Sequence, residues 1–108
     1  MMNAERTYGV EVEFISTNHN ARDLAIKMTT MTGIRVEAQG YNHRVQNVWK
    51  IVTDASLSSG GRGYGLELVS PKLKGQSGLE QVRKLMNAMN ELGAEVNRTC
   101  GLHVHHDV

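Results

Sequence analysis

Apolar and polar residues alternate over Tyr8-Gly9-Val10-Glu11-Val12-Glu13-Phe14, and the same period of two returns in Leu102-His103-Val104-His105-His106-Asp107. That is the period of a β-strand, whose successive side chains point to opposite faces. The first segment predicts a strand over Thr7 to Ser16, with Glu11 and Glu13 on one face and Val10, Val12 and Phe14 on the other. The second puts His103, His105 and Asp107 on one face and Leu102, Val104 and His106 on the other. Helical spacing takes over in between. Ala21, Leu24, Ala25, Met28 and Met31 predict a helix over Ala21 to Thr32, with cap candidates in Asn18 to Asn20 and a stop at Gly33. Short strands are expected at Ile34 to Ala38 and Val48 to Thr53, and a fourth at Tyr64 to Val69, ended by Pro71. Ser77 and Glu80 have the spacing of a capping box. The stripe Leu79, Val82, Leu85, Met86, Met89 and Leu92 follows as a second helix, closed by Gly93. A short strand at Glu95 to Asn97 then precedes the histidine strand.

Paired strands with two helices imply an α+β fold, a mostly antiparallel sheet with both helices packed on one face. The open face would carry the polar row. At 108 residues, with no internal repeat and no linker, the chain reads as one domain. Charge narrows the function. Twelve Lys plus Arg stand against eleven Asp plus Glu with no segment dominated by either sign, so a nucleic-acid surface built on a basic stripe is not expected. Cys100 is the single cysteine, which precludes an internal disulfide and fits a reducing compartment. With no apolar run long enough for a membrane span and no signal-peptide core near Met1, a cytoplasmic protein is expected.

The candidate chemistry lies in polar residues that separate strands could bring to one point. Glu11 and Glu13 come from the first strand, Glu67 from the fourth, and His103 and His105 from the last. Like charges on a half-buried sheet face repel unless a cation lies among them. Carboxylates with few imidazoles suit Mg²⁺ or Mn²⁺ better than a structural zinc site, for which thiolates would be expected. Asp54 and Ser56, at the mouth of the loop Ala55 to Gly63, are candidates to add ligands or hold waters. Each element also has an ordinary reading, since an isolated Glu-Val-Glu or His-Val-His is commonly a solvated strand face. Arg62, Lys72 and Lys74 are candidates for phosphate contact, although loop cations are usually just hydrated. Ser58 to Gly63 is not a Walker loop, because no Gly-Lys-Ser/Thr follows. Cys100 reads as a structural thiol, His19 and His43 as surface histidines, and the methionines as core.

Three segments in order, Gly9-Val10-Glu11-Val12-Glu13-Phe14, then Asp54-Ala55-Ser56-Leu57 with Gly65-Leu66-Glu67-Leu68-Val69-Ser70-Pro71, then Cys100-Gly101-Leu102-His103-Val104-His105, resemble the successive motifs of the amidoligase family. That family is grouped with glutamine synthetase and the glutamate-cysteine ligases as carboxylate-amine ligases. The resemblance implies ATP-dependent amide formation through an acyl phosphate. Glu11, Glu13, Glu67 and His103 would hold Mg²⁺, with His105 toward the nucleotide phosphates; Ser56 and Arg62, read from the loop itself, are the further cofactor-binding candidates. Family members normally continue past the His-x-His strand, so the resemblance implies the first portion of a domain, its site completed by another subunit. A homo-oligomer or a protein partner at His103 to Val108 is therefore expected, with an isolated monomer inactive. The other expectation is a non-catalytic binding protein on the same fold, such as a phage or mobile-element inhibitor of a host defence complex. A metal-dependent hydrolase or nuclease would use the same row but leaves the motif order unexplained.

Overall fold

The computed structural model describes residues 7–39, 47–53, 64–95 and 102–106, with positions 64 and 102–106 described by their backbone. Among them are seven strands and two helices in the order β1 (Thr7–Ser16), α1 (Ala21–Thr32), β2 (Val36–Gln39), β3 (Trp49–Thr53), β4 (Tyr64–Val69), β5 (Leu73–Lys74), α2 (Gly75–Glu91), β6 (Ala94–Glu95) and β7 (Leu102–His106). All strands join one sheet, and every pairing is antiparallel except β2 with β3. The α+β fold expected from the periodicities is the fold observed.

β1 is the centre of the sheet. Along one edge it pairs with β4 and then β5, and along the other with β6 and β7. β3 and β2 extend the sheet beyond β4. The apolar phase of β1, Val10, Val12 and Phe14, packs with Leu66 and Leu68 of β4, Trp49 and Ile51 of β3 and Val36 of β2. Leu24, Ala25 and Met28 of α1 and Leu85, Ala88 and Met89 of α2 close over that face. Both helices therefore lie on one side, and the glutamates of β1 face the other.

Local chemistry accounts for the element ends. Asn20 caps α1 by accepting the backbone N–H of Asp23 at 2.8 Å, and Gly33 ends the helix at φ 75°, a left-handed conformation that glycine adopts without steric cost. Just before α1, the Ser16 hydroxyl donates to the His19 carbonyl at 2.6 Å, and His19 Nδ1 lies 2.7 Å from Asp23 Oδ2. His19 is thus a half-buried part of the turn into α1 rather than a surface histidine. The α1 stripe holds at Leu24, Ala25 and Met28 but not at Met31, which is 45% exposed in the last turn.

α2 starts two residues earlier than the expected capping box. Its N-cap is Lys74, without a side-chain cap bond, and Ser77 lies inside the helix with its hydroxyl donating to the Lys74 carbonyl at 3.2 Å. Glu80 instead accepts from Arg83 at 2.6 Å, and this pairing holds its carboxyl below the usual range. Leu79, expected in the core, is exposed, whereas Gly78 is buried. Trp49 fixes α2 to β3 by donating its indole N–H to Gln81 Oε1 at 2.8 Å.

Among the described residues the register shifts beside the site strand. Between Glu11↔Val69 and Tyr8↔Leu73, β1 has two intervening residues and the opposing chain three, so the β4–β5 side bulges at Ser70-Pro71-Lys72. Ser70 occupies the gap. Its N–H donates to the Val10 carbonyl at 2.9 Å, and its hydroxyl oxygen accepts the Val10 N–H at 2.8 Å while donating to the Pro71 carbonyl at 2.7 Å. A buried side chain thus substitutes for the missing ladder acceptor. Replacing Ser70 with Ala leaves the Val10 N–H without that acceptor and is expected to cost about 1–3 kcal/mol, read as a lowered midpoint in urea unfolding.

Candidate functional site

Pairing across the sheet decides which polar residues meet, because directly opposed residues share a face. Glu13 is opposite Glu67, and Glu11 is opposite His103 on the other edge of β1. His105 is opposite Gly9, one step further along the same face. The register therefore brings the positions of all three sequence segments to one face of the sheet, the one away from the helices. Glu11, Glu13 and Glu67 are half-buried there. Opposed Cβ atoms lie about 4.5–5.5 Å apart in such pairs, so Glu13 and Glu67 are immediate neighbours.

The face is less open than the sequence suggests. Lys50 of β3 is opposite Val69, which is opposite Glu11, so one lateral row runs Glu37, Lys50, Val69, Glu11, His103 across five strands. The next row runs Gln39, Val52, Glu67, Glu13. Lys50 is 2% and Val52 1% exposed, so β3 is buried on both sides. Lys50 is the site-face residue that the sequence-based reading leaves out. Its signal was its phase: it alternates with Trp49 and Ile51, which are core residues. Glu11, Glu13, Glu67 and Lys50 each have an interaction partner in the structure.

Other candidates fall differently. Asp54, Ser56, Arg62, His43 and Cys100 lie outside the described residues. Lys72 and Lys74 are exposed beside the start of α2, where they line a cleft with Arg35, Trp49, Ser77 and Gln81. By register Lys74, opposite Thr7, shares the glutamate face but sits at its far end.

Among the described residues no three acidic, histidine or cysteine groups are gathered closely enough to hold a metal ion. The chemistry of the carboxylates, hard oxygen donors on neighbouring strands with two histidine positions beside them, fits Mg²⁺ or Mn²⁺ better than a thiophilic ion. Among the described residues no helix is long and apolar enough to cross a membrane.

No curated protein and no solved structure matches the chain. A family model does, over residues 4–108, a span that contains every strand and helix of this sheet and all three glutamates. The chain therefore belongs to the family described as "Putative amidoligase enzyme".

Proposed function

We propose that the glutamate face is the metal and phosphate side of an ATP-dependent carboxylate-amine ligase. The observation that carries this is the pairing of Glu13 with Glu67 and of Glu11 with His103, which brings residues from separate segments to one face. Glu11, Glu13, Glu67 and His103 would hold Mg²⁺, or Mn²⁺ in its place, and position 105 lies on the same face toward the phosphates. The cation, when bound, neutralises phosphate charge during phosphoryl transfer. In the reaction a carboxylate oxygen of the acid attacks the terminal phosphorus of ATP and ADP leaves. The amine nitrogen then attacks the acyl carbon, loses a proton and expels phosphate. Ser56 and Arg62 are the further phosphate-side candidates.

Among the described residues β7 pairs with β1 alone, and its other edge is where a strand from a second polypeptide would add. The proposal includes assembly there, as a dimer of the chain or with a protein partner, to complete the site.

Titration calorimetry of Mg²⁺-ATP into the purified chain, with its mass measured in solution, tests both parts. Saturable binding by an assembled species, with ADP release on adding acid and amine mixtures, is the expected result. An assembled species that binds neither Mn²⁺ nor Mg²⁺-ATP would overturn the ligase reading and leave a binding protein built on the same fold.

A further inference from the structure

Lys50 is a cation withdrawn from water in the middle of the sheet, and the proposed chemistry has not used it. The other described lysines, Lys27, Lys72, Lys74 and Lys84, are exposed. A lysine only 2% exposed is costly to bury as a cation unless its surroundings are electrostatically favourable. Here they are acidic. Glu37 lies opposite it on β2, Glu67 is its diagonal neighbour on β4, and Glu11 stands two strands away in the same row. Lys50 also has a partner in the structure, so its position is held rather than free to swing. Out of water, its charge is screened far less than that of a surface lysine.

Resting on the reading of this face as a Mg²⁺-nucleotide site, we propose that Lys50 is the fixed positive charge that lets a row of three carboxylates accept a polyphosphate. A carboxylate row attracts a divalent cation but repels the phosphates that must accompany it. A divalent ion bound on this face would offset two of the three charges of Glu11, Glu13 and Glu67, and Lys50 stands against the third. The residue acts through the field of the face, as a positioning charge rather than a catalytic group. The same charge opposes a bare metal ion and favours an anion, so removing it must act on the two ligands with opposite signs.

The test compares wild type with Lys50→Met, which keeps the length and apolar stem of the side chain, and with Lys50→Arg, which keeps the charge. Mn²⁺ alone and Mg²⁺-ATP are titrated into each. Loss of the charge is expected to tighten Mn²⁺ binding several-fold and weaken Mg²⁺-ATP binding about tenfold, with Arg restoring both toward wild type. Lys50→Gln serves the same comparison if the Met variant does not fold. Affinities that fall together, or that do not move, overturn the role of Lys50 while leaving the metal face intact. A wild-type chain that binds no Mn²⁺ overturns the reading of the face, and this inference with it.

Discussion

Replacing Glu13 with Gln is expected to weaken Mn²⁺ binding by at least about tenfold, the scale on which metal sites respond to loss of a supporting carboxylate. Glu13 is adjacent to Glu11 on its own strand face and opposite Glu67 on β4, so its charge is central to the row. The substitution keeps shape and removes only charge. Because Glu13 is half-buried rather than enclosed, the fold should survive the change. Glu80→Gln is the control, since Glu80 is exposed on α2 and pairs with Arg83 there, on the helix side of the sheet. Its effect should stay within about twofold in a salt-containing buffer. Equal affinity in wild type and the Glu13 variant would show the row to be a solvated strand face.

Gly78→Ala is expected to destabilise the fold although alanine is the better helix former. A Cβ at position 78 would lie 2.5 Å from Tyr8 Oη and 2.8 Å from Leu73 Cβ, both too close to tolerate without movement. Propensity favours alanine by about 1 kcal/mol, whereas overpacking costs about 1–3 kcal/mol, and here the opposing atoms are held. Tyr8 donates its hydroxyl to the Gly75 carbonyl at 2.9 Å, and partial burial raises its phenol above the ordinary value, so the donor stays protonated. Thermal unfolding should show a melting temperature lower by several degrees, roughly 4–8 °C for each kcal/mol lost at this size. Tyr8→Phe removes the nearest atom and should recover part of the loss in the double variant. Additive losses would place the strain at Leu73 instead.

Much of this was legible because each strong pattern had one physical cause. The alternation of Thr7 to Ser16 and the Asn20 to Gly33 bracket around α1 gave boundaries that the structure reproduces. Tyr64–Val69 was readable for the same reason. Where the patterns failed, the deciding term lay outside the segment. α2 begins directly from β5, so the Ser77 and Glu80 spacing has no end to cap. Its packed face includes Gly78, whose burial no hydrophobicity pattern can announce, and this turns Leu79 outward. The parallel pairing of β2 with β3 has no local signature. Lys50 carries no sequence signal of burial, because charged strand residues ordinarily face water. The candidate site was legible as a set of positions; the chain alone did not reveal that Glu13 faces Glu67 while Glu11 faces position 103.

The pairing of β1 with β7 joins positions about 90 residues apart in sequence, and it is the pairing that sets position 103 beside Glu11. Contacts of such separation must meet a large loop-closure entropy before they return any stabilisation, which makes them slow to form. On the ribosome, β1 emerges before every other element of this sheet and must wait for β6 and β7 before its second edge is covered. During that interval the glutamates can find β4, but not the histidine strand. A newly made chain would thus pass through a stage with a helix-packed core and an uncovered strand edge, a state exposed to pairing with the wrong chain. A ligand bound across β1 and β7 would stabilise the completed sheet over the state with the uncovered edge, so occupancy of the proposed site would also lower the fraction of chains open to misassembly.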